Sequence, residues 1–76
     1  GNSLVVVYKD RPGVLVQLTG ACADLGINIE EIRSLRDPSE ANSIAILRTN
    51  LPLPTEAVAK IAQAVQPQVI FTLSLT

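Results

Sequence analysis

The spacing of apolar residues along the first third of the chain predicts a strand followed by a helix. Residues 4–8 form a continuous run of Leu, Val and Tyr, which is typical of a central strand covered on at least one face. Pro12 and Gly13 end this strand, and apolar residues then recur at helical spacing up to Gly26, where a left-handed residue ends a helix. The apolar positions of this helix, of about three turns, are Leu15, Leu18, Cys22 and Leu25.

The middle of the chain predicts two strands joined by a hairpin loop. Residues 27–36 read as extended, but Ile32 lies out of phase with Ile27, Ile29 and Leu35, so we expect a bulge or a late strand start. Turn-forming residues fill positions 37–42 and return the chain to an apolar strand. The third strand is predicted at residues 43–49.

The last third of the chain predicts a helix and a final strand. The helix starts at Pro54 and ends before Pro67, and its apolar positions are Val58, Ile61, Ala62 and Val65. In the strand after it, Val69, Phe71, Leu73 and Leu75 alternate with Ile70, Thr72 and Ser74. This alternation predicts one buried face and one more polar face.

The order strand, helix, strand, strand, helix, strand predicts an α+β fold of the ferredoxin-like βαββαβ type. Two right-handed crossovers place both helices on one face of a four-stranded antiparallel sheet. A chain of 76 residues forms one domain, residues 1–76. Since the chain lacks methionine and begins Gly-Asn-Ser, we expect this domain to be excised from a longer protein.

Composition and charge exclude several classes of function. Six basic and seven acidic residues give a net charge of −1, which does not favour binding to nucleic acid. With no histidine and a single cysteine, the usual zinc ligand sets and any internal disulfide are missing, and we predict neither a metal nor a cofactor. No apolar stretch is long enough for a membrane span, so we expect a soluble, cytoplasmic protein that does not bind membranes.

Two short motifs give the chain a specific resemblance. Pro-Gly-Val-Leu at residues 12–15 starts the first helix, and Gly-Ile-Asn-Ile at residues 26–29 follows it. Together they resemble the ACT domain, a small regulatory module of amino-acid metabolism. The resemblance implies sheet order 4-1-3-2 and a homodimer paired through a sheet edge or the helices. It also implies a free amino acid, bound where the first loop of one domain meets the second strand of its partner.

The residues of these motifs suit such a ligand. Open backbone N–H groups of Gly13, Val14 and Leu15 at a helix N-terminus favour a carboxylate. The Asp10 carboxylate and the Asn28 amide oxygen are acceptors for the ammonium group, and by resemblance they match the two polar positions that hold an effector.

Apolar and aromatic residues near these motifs bear on which amino acid is bound. Ile29, Ile32 and Leu15 offer an apolar environment for the effector side chain. Tyr8 is expected at a strand end with its hydroxyl in water, and it stands where serine-binding members carry histidine, which argues against serine. Residues 27–36 resemble the ACT domain of prephenate dehydrogenases, which implies feedback control of tyrosine synthesis by an aromatic effector, without catalytic residues in this chain.

Each site residue also has a purely structural interpretation. Asp10 can cap the first helix, Pro12 and Gly13 can serve only as helix punctuation, and Asn28 can be a turn residue after Gly26. Two other functions stay open. The first is a dimerisation module without an effector. The second is an acylphosphatase-like enzyme using Arg11, although the proline after that residue removes a backbone donor.

Overall fold

A four-stranded antiparallel sheet with two helices against one face forms the chain, as the sequence predicts. The structure, a computed structural model, describes residues 2–36 and 41–74 in full and residue 37 by its backbone. Its elements are β1 (Asn2–Lys9), α1 (Val14–Asp24), β2 (Ile29–Asp37), β3 (Asn42–Thr49), α2 (Thr55–Val65) and β4 (Val69–Ser74). The strand order is β2-β3-β1-β4, which is the order 4-1-3-2 read from the other edge.

The hydrophobic core lies between the sheet and the two helices. β1 is central, with β3 on one side and β4 on the other, and its alternate residues face the helices. In each helix, buried residues recur at every fourth position, as expected for a helix with one face against a sheet. The core residues are Leu4, Val6, Tyr8, Val14, Leu18, Cys22, Ala45, Leu47, Ile61 and Val65.

The helix α1 faces the core with Val14 and not with Leu15. The apolar stripe through Val14, Leu18 and Cys22 runs along one line of the helix, and Leu15 lies one residue, or about 100°, away from it. Leu15 is therefore exposed, which corrects the prediction that it is a core position. The first turn of α1 thus presents an apolar side chain outside the core.

A β-bulge at the start of β2 resolves the phase conflict among its isoleucines. The register shifts between Ile29 and Glu31, so that Ile29 lies opposite Thr49 and Ile32 opposite Leu47. Both isoleucines therefore face the helices, while Leu35 faces the other side of the sheet. The bulge and the late strand start are both confirmed, since β2 begins at Ile29.

The apolar face of β4 is turned away from the core, contrary to the prediction. The register places Ile70 beside Val6 on the helix side and Phe71 beside Val5 on the opposite side. Val69, Phe71 and Leu73 are consequently 50%, 42% and 46% exposed. Leu75 and most of the predicted hairpin loop lie outside the described residues. In the part of the chain that is described, no helix is long and apolar enough to cross a membrane.

The burial of β3 predicts unequal effects for two leucine substitutions. Leu47→Ala removes a fully buried side chain from the centre of the sheet and should lower the free energy of unfolding by about 2–5 kcal/mol. Leu51→Ala alters an exposed residue just beyond β3 and should change the free energy of unfolding by less than about 0.5 kcal/mol. Urea denaturation followed by circular dichroism measures both. Equal losses would contradict the placement of the core.

Candidate functional site

A cavity of about 290 Å³ lies between the N-terminus of α1 and the end of the sheet where β1 finishes. It is formed by the β1–α1 loop, the first turn of α1, and facing residues of β2 and β3. Its lining residues are Tyr8, Asp10, Arg11, Gly13, Val14, Leu15, Val16, Ser34, Arg36 and Ser43. Four of the six predicted site residues, Asp10, Gly13, Val14 and Leu15, are therefore brought together here.

The sheet side of this cavity is polar. Tyr8 and Arg36 both lie opposite Ser43, from β1 and β2, and Ser34 lies two residues before Arg36 on the same face. These residues share the face that carries the core, but α1 begins only at Val14 and leaves this end of the sheet for hydroxyl and guanidinium groups. Tyr8 lies at the end of β1 as predicted, and as a whole the residue is buried against the core.

Two residues that line the cavity, Asp10 and Arg36, form a direct ion pair. Arg36 Nη2 lies 2.5 Å from Asp10 Oδ2, and their side chains are 68% and 33% exposed. The Asp10 N–H donates to the Ala41 carbonyl at 3.0 Å, which extends the pairing of β1 with β3 by one residue and fixes the position of Asp10. The ion pair is open to water and contributes little to stability, but it presents one anion and one cation to a ligand.

The N-terminus of α1 has no side-chain cap. Its N-cap residue is Gly13, in the left-handed region at φ 85°, and no side chain bonds the first-turn N–H groups. Asp10 is therefore not the helix cap. A Cβ atom at Gly13 would meet no atom within 4 Å, so the space beside this residue is open. The backbone N–H groups of the first turn can consequently donate hydrogen bonds to a bound anion.

Arg11 has a structural role at the other helix. Its Nη2 donates to the Val65 carbonyl at 2.5 Å, at the C-terminal end of α2 where a cation is favoured. The guanidinium group is thus committed to a helix terminus. This contact argues against the acylphosphatase-like interpretation, which needs that group free to hold a phosphate.

Asn28 and Ile29 lie at the opposite end of α1 from the cavity. The helix of eleven residues between them and Asp10 is about 16 Å long. The Asn28 carbonyl accepts a hydrogen bond from the Asn50 N–H at 3.4 Å, beside the β3–α2 loop. One chain therefore does not bring Asn28 and Asp10 to the same ligand.

The sequence analysis did not identify Ser34, Arg36 and Ser43 as site residues. Arg36 and Ser43 face each other across the hairpin, and Ser34 shares their face. All three are polar residues at strand positions that face the helices. This shared feature can be recognised only when the register of the strands is known. The bulge in β2 hides this register from a simple count of alternation.

A larger groove of about 420 Å³ lies where α1 and α2 meet, lined by Gln17, Gly20, Ala21, Asp24, Leu25, Lys60 and Ala64. Small side chains leave it open, and the backbone N–H groups of these helical residues are bonded within the helices. Because it offers a carboxylate no backbone donors, it is a weaker candidate than the cavity at the N-terminus of α1.

Cysteine and metal chemistry do not contribute to the site. Cys22 is fully buried in the core, and burial raises the pKa of its thiol, so the thiol stays protonated at neutral pH. Over the described residues, 2–37 and 41–74, His, Cys, Asp and Glu side chains form no group of three or more that could hold a metal ion.

Solved structures share this fold at low sequence identity. Formyltetrahydrofolate deformylases from Pseudomonas syringae and Pseudomonas putida match with TM-scores of 0.70 and 0.79, at 20% and 11% identity, over 93% and 97% of this chain. The chain spans only 26% and 28% of the length of those enzymes. An ACT domain protein from Streptococcus pneumoniae matches with a TM-score of 0.65 and 22% identity, over 95% of this chain and 85% of its own.

Sequence comparison identifies the family. A comparison with curated proteins found no significant match. The family profile of the ACT domain, in contrast, matches residues 2–65, which include both helices and the first three strands. This match and the observed βαββαβ order agree with the two motifs at residues 12–15 and 26–29. The chain therefore belongs to the ACT domain family.

Proposed function

We propose that this ACT domain is a regulatory module whose effector is a free amino acid bound in the cavity at the N-terminus of α1. ACT domains are in general small-molecule-binding regulatory modules. The observation that carries the proposal is the pairing of Asp10 with Arg36 beside the uncapped first turn of α1. An amino acid has the complementary pair of charges at the same short separation.

The ligand replaces the Asp10–Arg36 ion pair with two new ones. Its carboxylate accepts hydrogen bonds from Arg36 and from the first-turn N–H groups of Val14 and Leu15, while its ammonium group donates to Asp10. Both protein charges keep an opposite partner in this exchange. The cost of separating them is therefore offset by charge-assisted hydrogen bonds to the ligand.

The lining of the cavity supports an effector with an apolar or aromatic side chain. A volume of about 290 Å³ lies just below the usual range for small-molecule sites, as suits a ligand as small as one amino acid. Leu15 and Val16 are exposed there, and the buried ring of Tyr8 lies beside them. An aromatic ring packs well against such residues, and the Tyr8 hydroxyl offers it a polar contact.

A second chain completes the proposed site. β2 is an edge strand, and Ile32 and Leu35 on it are exposed. Pairing two chains along this edge, or through the helices, allows Asn28 and Ile29 of one chain to reach the cavity of the other. In this arrangement the Asn28 amide oxygen becomes the second acceptor for the ammonium group.

The regulated enzyme is part of the proposal. The resemblance of residues 27–36 to the ACT domain of prephenate dehydrogenases supports such an enzyme as the parent protein. The enzyme would be cytoplasmic and under feedback control by tyrosine. The structural neighbours named above include formyltetrahydrofolate deformylases instead, and at their identities they show only the shared fold. The nature of the effector therefore rests on the cavity and on the motif, and binding experiments can test it directly.

The first prediction concerns ligand specificity. Tyrosine, and phenylalanine after it, should raise the melting temperature of the chain more than serine, valine or lysine in a panel of all twenty amino acids. A ligand at a hundredfold excess over its Kd adds about 2.7 kcal/mol to stability, and about 1 kcal/mol shifts Tm by roughly 4–8 °C in a domain of this size. If no amino acid shifts Tm, the module binds no effector. If serine or valine gives the largest shift, the aromatic assignment is wrong.

The second prediction separates the two arginines of β2. Arg36→Gln removes the cation of the cavity and should weaken binding of the best amino acid by about 1.5–3 kcal/mol. Arg33→Gln removes an exposed arginine that pairs with Glu31 on the opposite face of the sheet, and should leave the Kd unchanged. Calorimetric titration of both variants measures the difference, and an equal effect would place the carboxylate elsewhere.

The third prediction uses two glycines with the same backbone requirement. Gly13 and Gly26 have φ values of 85° and 72°, and a Cβ atom at either meets no atom within 4 Å. Gly13→Ala and Gly26→Ala should each destabilise the fold by about 1–2 kcal/mol. Only the first should also weaken amino-acid binding, because its methyl group enters the space beside the first turn of α1. Unchanged binding by Gly13→Ala would leave this glycine a purely structural residue.

A further inference from the structure

The face of the sheet opposite the helices, called the open face below, is largely apolar. The ladder registers assign to it Ser3, Val5, Val7 and Lys9 of β1, Glu31, Arg33 and Leu35 of β2, Asn42, Ile44, Ile46 and Arg48 of β3, and Val69, Phe71 and Leu73 of β4. Eight of these fourteen residues are aliphatic or aromatic. Neither helix packs against this side of the sheet.

Three of the four large apolar side chains that are exposed on the open face lie on β4, and the fourth is Leu35 of β2. Val69, Phe71 and Leu73 are about half exposed, and Phe71 is the only phenylalanine of the chain. A register slipped by one residue would turn these three side chains toward the helices. The pairing of β4 with β1 instead holds Ile70 against the core and keeps the larger apolar set outside. Patches of this kind on soluble domains mark interaction surfaces.

The charges of the open face lie on its β2 side, apart from Lys9 at the end of β1. Arg33 and Arg48 both lie near Glu31, with nitrogen–oxygen distances of 3.0 and 3.7 Å, so one carboxylate partly offsets two positive charges. The part formed by β1 and β4 carries no charged residue apart from the strand ends. A partner that covers this part must therefore be apolar there and must leave the β2 side in water.

We propose that the open face binds the open face of a second copy of this chain, with β1 and β4 of one copy stacked on β1 and β4 of the other. The result is a sandwich of two sheets about 10 Å apart, with all helices on the outside. The contact is isologous, since the same patch serves both copies. It uses a different surface from the β2 edge, and it does not depend on amino-acid binding.

Composition and charge favour a second copy as the occupant. The stacked region on β1 and β4 is only part of a molecule whose longer dimensions are 33 and 26 Å, so the contact is smaller than the roughly 800 Å² per partner of a standard stable interface and should depend on protein concentration. On the β1 and β4 part of the face, five of seven positions are apolar, which is similar to homodimer interfaces, about 65% apolar. A net charge of −1 causes little repulsion between two copies, and the rim charges stay solvated.

Sedimentation velocity of the whole 76-residue chain tests this assembly with two matched variants. Phe71→Lys introduces a charge at the centre of the stacked region and should halve the mass of the species in solution. Leu51→Lys changes an equally apolar, exposed residue outside the open face and should keep the wild-type mass. A wild-type chain that sediments only at 8.1 kDa overturns the proposal, as does a folded Phe71→Lys variant with the wild-type mass.

Circular dichroism establishes that each variant is folded, and Phe71→Ser replaces Phe71→Lys if the lysine variant is not. Thiol labelling gives a second measurement, because the only native cysteine, Cys22, is buried. The introduced thiol of Val69→Cys should be labelled more slowly as protein concentration rises, whereas that of Leu51→Cys should not. A labelling rate of Val69→Cys that does not depend on concentration overturns the proposal.

Discussion

The register of β1 against its two neighbours determines what every surface of this domain presents. β1 is paired on both sides, so the alternation of its side chains assigns one set of residues in β3 and β4 to the helices and the other set to the open face. A shift of one residue would exchange those sets. The buried core, the polar end of the cavity and the exposed apolar side chains of β4 all follow from this single pairing.

The cavity lies between the end of β1 and the first turn of α1, because the helix begins only at Val14, after the β1–α1 loop. Gly13 adopts a left-handed conformation and starts the helix, and in its first turn Val14 is buried in the core while Leu15 and Val16 stay exposed. The backbone donors that an apolar cover would hide are left beside an arginine and an aspartate. One end of the fold thus combines first-turn N–H groups that no side chain caps with two opposite charges.

The sequence predicts local features well, because they depend on neighbouring residues alone. The order of elements, the bulge in β2 and the left-handed glycine at residue 26 are all confirmed. Alternation in β4 shows that two faces differ, but which face meets the helices depends on pairing with β1, about 65 residues away. Arg36 was missed for a related reason, since it meets Asp10 only after the hairpin places β2 beside β3.

The two proposed contacts between chains differ in their coupling to the effector. A ligand shifts an association equilibrium only as far as it binds the associated and separate states with different affinity. In the proposed pairing along β2, Asn28 of one chain would enter the partner's cavity and change the contacts that the ligand makes. Stacking through the open face adds no group to a cavity that lies on the other side of the sheet. We therefore expect effector affinity to depend on pairing along the β2 edge and not on stacking through the open face. The effector would then regulate the edge pairing and leave the stacking unchanged.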